Sequence, residues 1–141
     1  MHLGWSQMID ALSKPEPKRL HIKSTKELSV VLDDIHSNSR YPILAQLFSD
    51  QKKSMAIGLG SQMSFLAYYE DNDIGPCYYS LNPEYYNKPY NSNIDSTDFF
   101  YFGADTEILE RYYIDIHTAK SVICEFFETE KMSEKITWEL A

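Results

Sequence analysis

Apolar and polar positions alternate in short runs along this chain and settle into a helical rhythm only twice. Leu28, Val31, Leu32 and Ile35 fall at i, i+3, i+4 and i+7, which makes one apolar helix face. Ser24-Thr25-Lys26-Glu27 stands before them. It is a capping box, in which the Ser24 hydroxyl accepts from the Glu27 amide and the Glu27 carboxylate reaches back. The helix is expected to stop in Ser37-Asn38-Ser39, ahead of Pro42. Ile116, Ala119, Val122, Ile123, Phe126 and Phe127 mark a second helix, with Asp115 placed to cap it.

The intervening runs are too short for helices and read as strands. Residues 43–48, 54–59, 62–69 and 77–81 are apolar or alternating, and polar turns at 49–53 and Asp71-Asn72-Asp73 separate them. In the third run Met63, Phe65, Ala67 and Tyr69 share one side. Such spacing predicts an antiparallel meander. Residues 98–103 and 107–113 predict a hairpin across Gly103-Ala104-Asp105, and Ile136-Thr137-Trp138 a short closing strand. Residues 19–23 alternate as a brief strand after Pro15 and Pro17, whereas Trp5, Met8, Ile9 and Leu12 fit either a helical stripe or a short edge strand. Residues 82–97, with two prolines, four asparagines and three tyrosines, form the longest loop. The expectation is one α+β domain over residues 1–141, an antiparallel sheet of about five or six strands with two main helices on one face.

Composition narrows the class. Hydrophobic residues at 43 % and charged residues at 24 % suit a globular chain and argue against general disorder. Met1-His2-Leu3-Gly4-Trp5 carries neither the basic nor the long apolar region of a secretory signal. No run approaches the length that spans a bilayer. Cys77 and Cys124 form no motif, so a reducing cytoplasm with both thiols in the core is expected.

Charge changes the picture more. Between residues 70 and 115 stand ten acids, against only Lys88 and Arg111, and this window carries the whole net charge of −8. Eleven of the chain's Phe and Tyr residues lie there too. A field of that sign repels nucleic acid and anionic membrane and speeds encounter with a basic partner. Tyrosines interleaved with acids suit a protein-binding face. The competing reading is structural: the aromatics alternate into a sheet core and the acids solvate its rim.

Catalytic signals are thin. His2, His21, His36 and His117 are scattered in sequence without metal-ligand spacing. Gly58-Leu59-Gly60 lacks the third glycine of a dinucleotide-binding turn, since Met63 stands there, and no helix follows. Cys77 has no neighbouring histidine, and Glu107 and Glu110, three apart on a strand, would point to opposite faces. No nucleophile, base and orienting group assemble, so an enzyme is not expected.

Four stretches carry a resemblance: Ser24-Thr25-Lys26-Glu27-Leu28 with Leu32; Ile57-Gly58-Leu59-Gly60 leading to Ser64-Phe65-Leu66; Phe100-Tyr101-Phe102-Gly103 followed by Ile114 and Ala119; and Phe126-Phe127-Glu128-Thr129 running to Ile136-Thr137-Trp138-Glu139. Their order resembles the small immunity proteins of bacterial polymorphic-toxin and contact-dependent growth inhibition systems, in particular the first-described α+β immunity family. The chain departs from that pattern before its last strand, where Thr129-Glu130 and Ser133 replace a Thr-Gly and a later Pro. The resemblance implies a cytoplasmic protein without cofactor or catalysis. Such a protein binds the C-terminal toxic domain of a cognate effector, often a basic nuclease or nucleic-acid deaminase. On that reading acids steer the encounter and aromatics anchor it. The candidates are Glu70, Asp71 and Asp73 on a turn, Tyr85, Tyr86, Tyr90 and Asp95 in the long loop, and Asp98 at its exit. Trp138 and Phe126 belong to the core. Two alternatives stand beside it: a generic acidic interaction module without a toxin, and a small hydrolytic or ligand-binding enzyme using Cys77, His117 or the Glu107–Glu110 pair.

Overall fold

The computed structural model describes residues 1–7, 16–89, 95–102 and 104–141. In chain order the elements are β1 (His2–Gln7), β2 (Glu16–His21), α1 (Thr25–Asn38), β3 (Ile43–Phe48), β4 (Ser54–Leu59), β5 (Met63–Ser64), β6 (Leu66–Tyr69) and β7 (Cys77–Ser80). They continue with β8 (Ser96–Tyr101), β9 (Ala104–Leu109), β10 (Ile114–Asp115), α2 (Ile116–Thr129) and β11 (Trp138–Leu140). Short 3-10 turns occupy Pro83–Tyr85 and Glu110–Tyr112.

The molecule is α+β, but its sheet is larger than the five or six strands expected. Among the described residues nine strands join one sheet, in the order β11-β7-β6-β4-β3-β1-β2, with the β8–β9 hairpin attached to β3. All pairings are antiparallel except the single bridge between Ile43 and Phe100. The start of the chain is a strand and not a helix, and it lies inside the sheet between β2 and β3. One edge is β2, where Pro17 withholds a donor without breaking an inner ladder. Met8, Ile9 and Leu12 lie outside the described residues. The third expected strand divides at Phe65, because its first half leaves the main sheet to pair with β10 and so fixes the entry to α2.

Both helices follow their local signals. The Glu27 amide donates to Ser24 Oγ at 3.1 Å, and α1 closes with the Ser39 amide on the Ile35 carbonyl at 3.0 Å. At the other helix the Thr118 amide donates to Asp115 Oδ1 at 2.9 Å. The cap holds the Asp115 carboxyl below its usual range through its bonds from Thr118. An exposed Lys120–Asp33 ion pair ties the helices together.

Their apolar faces share one core with the sheet. Leu28, Leu32 and Ile35 of α1 and Ala119, Val122, Ile123 and Phe126 of α2 meet Met55, Ile57 and Leu59 of β4. Trp138 packs half-buried against this cluster. The opposite face is covered as well. Leu44, Ala56, Phe65 and Ala67 form a second cluster with Phe99 and Ile108 of the hairpin and Tyr112 beyond it. With a layer on each side, every residue of β4 is buried, the pattern of a strand at the centre of three layers.

Gly58 lets the hairpin lie this close. A Cβ there would stand 2.7 Å from Phe65 Cδ1 and 2.7 Å from Phe99 Cε1. Those two rings meet edge to face at 4.9 Å between centroids. Gly60 serves a different need: its φ of +79° turns the chain, and a Cβ there would strike the Tyr41 carbonyl at 2.6 Å.

Polar groups lock the far end of the hairpin. Ser80 Oγ accepts from the Leu66 amide and donates to the Tyr112 carbonyl, both at 2.9 Å. Arg111 is only 6 % exposed. Its guanidinium grips the Glu139 carboxylate in a fork, with Nε at 2.9 Å from Oε1 and Nη2 at 2.6 Å from Oε2. Tyr112 Oη adds a bond to the same carboxylate at 3.3 Å, and Arg111 Nη1 reaches the Pro89 carbonyl at 3.4 Å. One ion pair thus joins a 3-10 turn, the last strand and the long loop.

Two outcomes follow. Gly58→Ala should cost about 1–3 kcal/mol, as overpacking of a filled core does, and urea unfolding that leaves the midpoint unchanged contradicts it. Glu139→Gln strands a buried guanidinium, so it should cost about 3 kcal/mol near neutral pH, the lower end for a broken buried pair. Arg111 holds the Glu139 carboxyl below its ordinary range. The pair's contribution is therefore complete above the unfolded carboxylate value of about 4.3 and disappears as pH falls through the folded one. The difference between wild type and Glu139→Gln should shrink steadily on acidification below about pH 4. A gap that does not change with pH contradicts this assignment.

Candidate functional site

Strand β7 separates the sequence-predicted contact residues into two groups. Glu70, Asp71 and Asp73 lie on the turn before it, whereas Tyr85, Tyr86, Asp95 and Asp98 follow it. Tyr90 lies outside the described residues. Four residues of strand, about 13 Å, stand between the described members of the two groups along the chain.

The first group is largely neutralised at home. Lys52 Nζ lies 3.1 Å from Asp73 Oδ2, and Lys53 Nζ 3.5 Å from Glu70 Oε1. Asp73 raises the Lys52 ammonium above its usual value. Tyr68 Oη donates to Glu70, and burial followed by that bond pushes the Tyr68 phenol well up. Asp71 Oδ1 accepts from the Asp73 amide at 2.8 Å, which shapes the turn. The Asn72 amide donates to the Lys52 carbonyl at 2.7 Å, binding this turn to the one between β3 and β4. These acids therefore shape a turn–turn contact in which two lysines offset most of their charge.

The second group forms no salt bridge among the described residues, although the Lys88 ammonium stands near it. Asn82 opens the Pro83–Tyr85 turn by accepting from the Glu84 amide at 3.1 Å, and its own amide donates to the Arg111 carbonyl at 2.8 Å. This holds Tyr85 beside Glu110, Glu84 and Asp95. Desolvation, and then the charges of Glu110 and Glu84, push its phenol up. Lys88 Nζ sits 5.5 Å from the Tyr85 ring centroid, a cation–π contact and not an ion pair. Tyr86 is exposed and borders a cavity of about 240 Å³ with Leu81, Pro83, Ile114 and Ile136. The Asp95 carbonyl accepts from the Glu110 amide at 2.8 Å, and the residue is exposed.

Asp98 gains company that the sequence reading did not assign. On the hairpin Asp98 stands directly opposite Glu107, and Phe100 opposite Asp105. These positions alternate with Phe99 and Ile108, which face the core, so the three carboxylates share the outer face. All three are exposed, and among the described residues none forms a salt bridge. Like charges directly opposite across strands are destabilising. The missed signal was register: a two-residue turn at positions 102–103, in place of the three-residue one expected at 103–105, pairs Asp98 with Glu107. The hairpin turn in fact follows Tyr101, which pairs with Ala104, and Phe102 takes the positive φ of 50°.

The alternative chemistry finds little support in the geometry. Burial pushes the Cys77 thiol up, which favours the unreactive protonated form, and its polar neighbour is Tyr69. Cys124 is likewise raised, first by burial. Strand β9 ends at Leu109, so Glu110 sits in a 3-10 turn and not on the strand with Glu107. His117 follows the Asp115 cap at the start of α2, and His36 Nδ1 accepts from the Gly60 amide at 3.0 Å. Among the described residues no three His, Cys, Asp or Glu side chains gather as a metal site. None of the described helices is long and apolar enough to cross a membrane.

If the outer hairpin face is unpaired charge, relieving it should help folding. Asp98→Asn and Glu107→Gln should each raise stability by about 0.2–1 kcal/mol, the range of cross-strand pair energies. Asp73→Asn, which frees Lys52, should not. Chemical denaturation that shows both hairpin variants destabilised contradicts the reading.

Compared with protein-family models and with curated proteins, the sequence matches none.

Proposed function

We propose that this chain is an immunity-type protein that binds a basic toxin domain in the cytoplasm and holds it inactive without catalysis. The observation that carries the reading is the outer face of the β8–β9 hairpin, where Asp98, Asp105 and Glu107 are exposed together and, among the described residues, form no salt bridge. A nuclease or nucleic-acid deaminase carries a cationic track for phosphates. A hairpin bearing carboxylates along one face has the sign and the regular spacing to occupy that track. Its base adds the carboxylates of Glu84, Asp95 and Glu110 around Tyr85, a rigid aromatic suited to contact. The similarity of four sequence stretches to the immunity family supports the same reading independently of charge. On this view the Glu70–Asp73 turn is structural, and the interface moves from the eight residues first singled out to the hairpin and its base.

Co-expression with the C-terminal region of the protein encoded by the adjacent upstream gene tests it. Growth rescue together with a stable co-purifying complex is the expected result. The triple variant Asp98→Asn, Asp105→Asn, Glu107→Gln should lose rescue and slow association about tenfold or more, while Glu70→Gln with Asp73→Asn keeps both. The wild-type association rate should fall with added salt. A harmless or non-binding neighbour overturns the immunity reading and leaves an acidic interaction module. Rescue that survives the triple variant moves the interface off the hairpin.

A further inference from the structure

The four histidines are far apart in sequence, yet the β1–β2 pairing brings two of them face to face. His2 stands directly opposite His21, and their rings lie 4.9 Å apart between centroids with planes 37° from parallel. The neighbouring pair fixes the kind of position this is. The Ile22 amide donates to the Met1 carbonyl at 2.8 Å and the Met1 nitrogen to the Ile22 carbonyl at 3.4 Å. Met1 and Ile22 are thus the hydrogen-bonded pair, and His2 and His21 the non-hydrogen-bonded one, where side chains approach closest. Both imidazoles are exposed, on the edge hairpin of the sheet.

We propose that His2 and His21 form a two-imidazole site for one divalent transition-metal ion, with water in its remaining positions. Imidazole nitrogens bind such ions at about 2.0–2.1 Å, which places two ring centroids roughly 4.5–5.2 Å apart for ligand angles of about 90–110°. The observed 4.9 Å lies inside that interval, so the paired strands already hold the two rings at the separation a shared ion needs, and rotation about the side-chain torsions of the exposed imidazoles turns one nitrogen of each toward it. Two nitrogen donors without a thiolate or carboxylate favour Cu²⁺ most strongly, then Ni²⁺ and Zn²⁺, and disfavour Mg²⁺ and Ca²⁺. The bound ion would clamp edge strand β2 to β1. This site is independent of the hairpin face argued above and stands whether or not a toxin is bound.

Calorimetric titration of chelator-treated protein with Cu²⁺ and with Zn²⁺ tests it. One ion should bind per chain, Cu²⁺ more tightly, and each metal should raise the melting temperature. His2→Ala and His21→Ala should each weaken binding roughly tenfold or more and abolish the thermal shift. His117→Ala, at the start of α2, should change neither. Far-UV circular dichroism establishes that the variants fold. Absence of binding to the wild type, or affinity unchanged in folded His21→Ala, overturns the proposal.

Discussion

The close approach of Phe99 to the backbone of β4 sets the arrangement of everything on that side of the sheet. The ring reaches the space a side chain at position 58 would need, and it meets Phe65 there edge to face. Burying a ring of this size contributes about 1.5–3 kcal/mol, a large share for a two-strand element held to the main sheet by one bridge. Because residues alternate along a strand, fixing Phe99 and Ile108 inward fixes Asp98 and Glu107 outward. The acidic face is a consequence of the packing beneath it.

A second constraint acts where the hairpin ends. Ser80, wholly buried, satisfies a β6 amide and a carbonyl of the Glu110–Tyr112 turn with one hydroxyl. Beside it the Arg111–Glu139 fork joins that turn to the last strand. Arg111 is one of only two bases in the most acidic window of the chain, and it is spent inside the fold. Lys88 leans on an aromatic ring. With Arg111 buried against Glu139, Lys88 is the one base of this window left at the surface among the described residues, whereas the acids of the Glu70–Asp73 turn face Lys52 and Lys53.

Legibility followed the range of the interactions. Helix starts were readable because a capping side chain and its amide sit three residues apart, as Ser24–Glu27 and Asp115–Thr118 do. Strands β3 and β4 matched their apolar runs because polar turns bound them closely. The hairpin was placed too late because glycine is the usual residue at a positive φ, and here Phe102 adopts one, its amide held by Ser6 Oγ at 2.7 Å. Strand β1 was ambiguous because Trp5 suits either periodicity, and β11 began at Trp138, two residues later than expected. The site was harder still. Lys52 and Lys53 neutralise acids that lie well along the chain, and the Asp98–Glu107 and His2–His21 pairs exist only once register is known.

The central claim is that Phe99, seated on Gly58, fastens the acidic hairpin to the sheet. A double-mutant cycle between Gly58→Ala and Phe99→Leu, followed by urea unfolding, tests it most directly. The account predicts that the alanine is markedly less harmful beside the smaller leucine, with a coupling of about 1 kcal/mol or more. Additivity within about 0.3–0.5 kcal/mol would show that the two positions do not share that space, and would contradict it.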